Sequence, residues 1–163
     1  MKQKELFITG GILFVLLLLS KMGQAAYYSI TDWLIPQFEG FRSTPYWDVS
    51  RWTWGYGTAA PGPDGTITRE KALADMRAYI DSDYSYLKRL ITRSLSANQW
   101  AALLSFSYNE GRYSADNLIK NINSGNEAAL ETQWKQYIYA GGDINDTLVA
   151  RRETEYNIWR GEV

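Results

Sequence analysis

The sequence predicts an α+β fold: a small antiparallel sheet lobe joined to a larger helical lobe, with a separate apolar segment at the N-terminus. Three observations lead there. Residues 6–20 are uncharged and apolar on all sides, residues 44–67 mix Thr, Tyr, Trp and Val with Gly and Pro, and from Thr68 onward apolar residues recur every three or four positions.

The N-terminal run, LFITGGILFVLLLLS, lies behind Lys2 and Lys4 and is followed by Lys21. Fifteen residues fall short of the roughly 20 that span a bilayer core, but Met22 to Ala26 extend the stretch and Lys21 can snorkel. Its Leu, Ile, Phe and Val side chains favour insertion by roughly 3 to 7 kcal/mol. Residues 1–26 are therefore expected to be a transmembrane or signal-anchor helix, with cleavage after a small-residue site as the competing reading. Residues 27–163 form one catalytic-sized domain, and the flanking lysines place it outside the cytoplasm.

Ser29 with Asp32 predicts the start of a first helix carrying Trp33, Leu34, Phe38 and Phe41, with Glu39 near its end and Pro36 bending or shortening it. The sheet follows, closed by the turn-forming Pro61-Gly62-Pro63-Asp64-Gly65. Leu73, Met76, Ile80, Tyr84, Leu87 and Ile91 predict a long helix linking the two lobes. Ser96 with Gln99 is a capping box for the next helix, which Gly111 ends. Further helices are expected over Asn117 to Asn123, Glu127 to Tyr139 and Thr147 to Arg160.

Composition removes many chemistries. The chain has no cysteine and no histidine, which excludes disulfides, thiol nucleophiles, thiolate or imidazole metal sites and Ser-His-Asp triads. Of 17 basic and 18 acidic side chains, Lys2, Lys4, Lys21 and Glu5 lie in the first 26 residues, so the remainder is acidic by three charges. No field attracts nucleic acid. Aromatic residues make up 15% of the chain, and most belong in a core, but Tyr46, Trp47, Trp52, Trp54 and Tyr56 crowd around two carboxylates, where flat rings can stack on sugars.

Those carboxylates are Glu39 and Asp48, with Thr53 five positions on. Cleaving a glycosidic bond needs one acid to protonate the leaving oxygen and a second carboxylate to manage a water or the developing cation. Glu39 is flanked by Phe38 and Phe41, which would desolvate it. Asp48 follows the turn-forming Pro45, and Thr53 offers a hydroxyl to position water.

The order Phe38-Glu39-Gly40, Tyr46-Trp47-Asp48 and Trp52-Thr53-Trp54-Gly55-Tyr56-Gly57 resembles the signature of the phage-type lysozymes of glycoside hydrolase family 24. The stretch Leu103 to Gly111 and the stretch from Tyr139 to Glu153 are similar to the family's helical-lobe motifs, in the same order. One spacing departs: the family places five residues between Asp and Thr, whereas only Val49, Ser50, Arg51 and Trp52 intervene here.

The resemblance implies a lysozyme-like fold with the cleft between the lobes. It also implies an endolysin that hydrolyses the β-1,4 bond from N-acetylmuramic acid to N-acetylglucosamine in peptidoglycan, without metal or cofactor. Glu39, Asp48 and Thr53 would be catalytic. Tyr46, Trp54, Tyr56, Tyr108 and Asn109 would bind substrate, while Arg151 and Arg152 would support the acid. The partners expected are peptidoglycan and, through residues 6–26, the inner membrane of the host, with the body facing the periplasm as a monomer, anchored or released. A lytic transglycosylase and a non-enzymatic, membrane-anchored wall-binding or virion protein are the alternatives. The first would work with Glu39 alone and the second without turnover.

Overall fold

A computed structural model describes residues 26–162. The apolar run expected to form the anchor lies outside the described residues, and among those described no helix is long and apolar enough to cross a membrane.

Helix α1 covers residues 26–39. It buries Tyr27, Thr31, Leu34 and Ile35 along one stripe, the spacing of an amphipathic helix. The helix is already formed before Ser29, whose hydroxyl donates to the Ala26 carbonyl instead of capping a new turn. Pro36 does not shorten it either. The helix runs on to Glu39, and Gly40, at φ +66°, closes it by donating to the Pro36 carbonyl.

The sheet lobe follows immediately. Strands β1 (Arg42–Asp48), β2 (Arg51–Gly55) and β3 (Thr58–Ala59) form an antiparallel sheet in sequence order. Trp47 pairs with Trp52 and Asp48 with Arg51, leaving Val49 and Ser50 as a two-residue turn. Within this turn Val49 stands at φ +48°.

Helix α2 (Arg69–Leu87) crosses from sheet to helical lobe, capped by the Thr68 hydroxyl accepting from the Lys71 amide. Sheet and helix approach closely at Gly55, where a Cβ would stand 2.8 Å from the Ala72 methyl. The helix stops at Leu87, not Ile91: Lys88 caps it, and the next residues turn.

The helical lobe is built around α3 (Ala97–Glu110), in which every residue from Ala101 to Ser107 is buried. Its capping box joins Ser96 to Gln99 as the sequence predicts. Around it pack α4 (Arg112–Ser124), α5 (Glu127–Trp134) and α6 (Asp146–Arg160), with the α3–α6 contact the most extensive. Helix α4 begins five residues earlier than expected, directly after Gly111, and α5 ends five residues earlier, at Trp134. The chain then forms a hairpin the sequence reading did not foresee, β4 (Tyr139–Ala140) against β5 (Asp143–Ile144). Gly141 and Gly142, both at positive φ, supply its two-residue turn.

Candidate active site

Helix α1 delivers Glu39 as its last residue, at the seam between the lobes. Its side chain is 21% exposed, and Arg151 of α6 donates to its Oε1 through Nη1 at 2.6 Å. On the other side stands the Gly57 backbone. A Cβ there would lie 3.3 Å from Glu39 Oε2, and the residue sits at φ +89°, so glycine is required for conformation and for space. Phe38 bears on the site indirectly, its ring lying 5.3 Å from the Arg151 guanidinium. The expectation of an acid desolvated by flanking phenylalanines gives way to one held by a guanidinium.

Asp48 and Thr53 come from the sheet. Residues facing each other across an antiparallel ladder share a face, and side chains alternate along a strand. Asp48 opposes Arg51 while Tyr46 opposes Thr53, so all four lie on one face. The two-residue turn therefore keeps Thr53 on the Asp48 side. Asp48 is exposed at the end of β1, whereas Thr53 is fully buried and its hydroxyl has no hydrogen-bond partner among the described residues. Burial, aided by Asp48, pushes the half-buried Tyr46 phenol above its ordinary value.

The same alternation corrects the expectation for Trp54. It falls on the opposite face, where its ring packs over the loop at Gly65, 3.8 Å from the position of a glycine Cβ. Tyr56 is also corrected, being 8% exposed and packed against Phe41 with ring centroids 5.5 Å apart. Its carbonyl, rather than its ring, reaches the site region, accepting from the Tyr108 hydroxyl at 2.7 Å.

Tyr108 lines a cavity of about 250 Å³ with Arg51, Gly57, Thr58, Ala59, Asp75 and Tyr79, beside the Glu39 carboxyl. Desolvation pushes its phenol well above the usual range, with Glu39 adding to the effect, so it stays a neutral donor. Asn109 is engaged structurally, its Oδ1 accepting from Arg152 Nη2 at 2.8 Å.

The two arginines are not on a solvated face. Arg151 and Arg152 are buried around the fully buried Glu155, a residue the sequence reading did not place in the site. Arg151 donates through Nε to Glu155 Oε1 at 3.1 Å and through Nη2 to the Ser105 carbonyl at 3.2 Å. Glu155 also accepts from Ser105 Oγ at 2.7 Å and Trp134 Nε1 at 3.2 Å. Arg152 reaches Glu110 at 3.3 Å and Glu155 Oε1 at 3.3 Å; its Nε lies 3.1 Å from Glu155 Oε2 in an alignment that gives charge attraction without a hydrogen bond. Desolvation lowers the Arg152 guanidinium from its ordinary value and raises the Glu110 carboxyl, the latter helped by Glu155 and opposed by Arg152. The clue was available: Glu155 stands four residues after Arg151 and three after Arg152, on one helical face.

The phage lysozyme family matches residues 36–155, a span that contains Glu39, the sheet face and the arginine cluster. The SAR-endolysin of Escherichia phage Mu is 30% identical over 145 residues, covering 84% of this chain and 82% of that protein. The SAR-endolysin of Enterobacteria phage P21 is 29% identical over 127 residues, covering 74% and 76%. Among solved structures, the muramidase domain of SpmX from Asticaccaulis excentricus superposes with a TM-score of 0.71 at 25% identity, over 77% of this chain and 91% of that domain. The family match takes in most of the described fold and every motif around the cleft, and on that ground this chain belongs to the phage lysozyme family and is a glycoside hydrolase of lysozyme type.

Proposed function

We propose that this chain is a muramidase of phage lysis. It hydrolyses the β-1,4 bond between N-acetylmuramic acid and N-acetylglucosamine in peptidoglycan, with Glu39 as the general acid. The observation that carries the assignment of Glu39 is its setting: a partly exposed carboxyl at a lobe junction, fixed by Arg151 at 2.6 Å and closed in by the Gly57 backbone. Such a group can pass a proton to a leaving oxygen without reorganising first.

Asp48 and Thr53 share a sheet face, which suits a carboxylate and a hydroxyl acting on one water or one developing cation. Leaving the buried Thr53 hydroxyl without a protein partner costs about 1 to 3 kcal/mol. A catalytic water bonded to it would recover that cost. This second carboxylate and its neighbouring hydroxyl favour hydrolysis over transglycosylation. Tyr46 and Tyr108 are the aromatic residues best placed to meet sugar, and the reaction calls for no metal or cofactor.

Glu39→Gln keeps size and hydrogen bonding but removes the transferable proton. Lysis of purified peptidoglycan is expected to fall at least 100-fold, the ordinary worth of a positioned acid, with the thermal melt unchanged. Retention of more than a few per cent of activity would overturn the assignment.

Residues 1–26 serve, in this reading, as a signal-anchor that holds residues 27–163 on the periplasmic side of the host inner membrane, anchored first and released later. The sequence supports this with an uncharged apolar run behind two lysines. Fractionating cells before and after collapse of the membrane potential is expected to show full-length protein moving from membrane to soluble fraction. Loss of about 25 residues at synthesis would show a cleaved signal peptide instead.

A further inference from the structure

Glu155 is buried in the middle of the helical lobe, yet it is connected to the cleft through one side chain. The Arg151 guanidinium spans two carboxylates, turning Nε to Glu155 and Nη1 to Glu39, while Nη2 is fixed by the Ser105 carbonyl. All of its nitrogens are thereby used, and its direction is set from the interior. The charges count unevenly. Among the described residues, Glu39, Glu110 and Glu155 form their ion pairs with Arg151 and Arg152 alone, so three carboxyl groups share two guanidiniums in a mostly buried cluster. An arginine facing Glu39 alone would favour the carboxylate, which is the wrong form for an acid. An arginine already half-neutralised by Glu155 orients the same carboxyl with less bias against the proton.

We propose that Glu155 is a positioning residue for the reaction: it divides Arg151 between itself and Glu39, so that the guanidinium aims the Glu39 carboxyl without locking it as the anion. The proposal rests on the reading of Glu39 as the acid. The other groups facing Glu39 are the phenols of Tyr108 on α3 and Tyr46 on β1, and Arg152 on α6, with Arg51 of β2 and Asp75 of α2 lining the cavity beside it, the former donating to the Gly57 carbonyl at 3.5 Å. Those facing Glu155 are Arg151, Arg152 and Glu110, with the hydroxyl of Ser105 and the indole of Trp134. The phenols stay neutral through the working pH range, and Arg152 stays cationic. Changes at Glu155 are therefore transmitted to Glu39 chiefly by Arg151.

The test is the pH profile of kcat/KM on purified peptidoglycan, using the full-length chain. A general acid works only while protonated, so activity falls as pH rises through its titration, and stronger pairing with Arg151 moves that limb to lower pH. Glu155→Gln removes the competing charge while keeping an acceptor. Its alkaline limb is expected about one unit lower, roughly a tenfold loss above neutrality with activity near pH 5 retained. Trp134→Phe removes one hydrogen bond to Glu155, which then draws harder on Arg151, so its limb is expected to move a few tenths of a unit the other way. A folded Glu155→Gln whose profile superimposes on the wild type, or whose loss is equal at every pH, overturns the proposal. If Glu155→Gln does not fold, Trp134→Phe decides: an upward shift supports the proposal, and an unmoved limb overturns it. Glu39→Gln, run alongside, separates the two claims, because its retaining activity would remove the acid itself whatever the profiles show.

Discussion

Val49 stands in the two-residue turn between Asp48 and Arg51. It is 94% exposed and stands at φ +48°, with the Ser50 amide donating to the Asp48 carbonyl at 2.5 Å. A β-branched residue in left-handed backbone is strained by roughly 1 to 2 kcal/mol, and this one buries almost nothing in return. Val49→Gly is therefore expected to stabilise the protein by about 1 kcal/mol, a rise of a few degrees in melting temperature, because relief of strain exceeds the entropy that glycine adds to the unfolded chain. An unchanged or lower melt would show that the turn is not strained. Glu39, Asp48, Thr53 and Gly57 could be singled out from the sequence because they are close neighbours in a patterned stretch. The Arg151 contact to Glu39 joins residues 112 apart, and only folding shows which of two adjacent arginines makes it. Trp54 and Tyr56 look equivalent to Tyr46 as aromatic neighbours, but strand alternation and packing against Phe41 turn them away. Composition carries no information about side-chain direction.

Elements were legible where their ends are written locally. The capping box that starts α3 and Gly111 that ends it both act within a few residues of where they stand. The end of α2 was not legible, for a different reason. Apolar residues continue to Ile91, which does pack against the core, so the periodicity reports burial correctly after helicity has ceased. What fixes the turn there is Asn123 of α4. Its side-chain amide donates to the Leu90 carbonyl at 2.9 Å and its oxygen accepts from the Thr92 amide at 2.8 Å, more than 30 residues away in sequence. Helix α1 shows the converse. Ser29 and Asp32 carry cap chemistry, but Asp32 is used to bind Arg77 on α2, and the helix runs through both positions. In the β1–β2 hairpin, Trp47, though 59% exposed, lies edge-on to Trp52 across the ladder, ring centroids 5.5 Å apart, a pair that stabilises the hairpin carrying Asp48 and Thr53.

Across the whole molecule, tyrosine links the start of the described chain to its core. Tyr27 is buried, and its hydroxyl shares Asp81 Oδ1 of α2 with that of Tyr28, at 3.2 and 2.5 Å. Arg77 stacks on Tyr28 while pairing with Asp32, so α1 is clasped to α2 at the end opposite Glu39. Burial, reinforced by Asp81, holds both phenols far above their ordinary range, and burial raises those of Tyr108 and Tyr156 as well. In each case the folded state keeps a proton that the unfolded chain gives up near pH 10. The stability this represents is complete below pH 10 and is lost as pH rises through the folded-state titrations above it, by about 1.4 kcal/mol per pH unit for each tyrosine. Denaturant unfolding at pH 8 and pH 11 is expected to show a steep loss for the wild type. Tyr27→Phe should be less stable at pH 8 by about 1 kcal/mol, the worth of one hydrogen bond. It should lose less than the wild type between the two pH values, because one of the protons that resists removal is gone. Equal losses in the two proteins would mean that Tyr27 does not couple ionisation to folding, and that the clasp on Asp81 is held by Tyr28 alone.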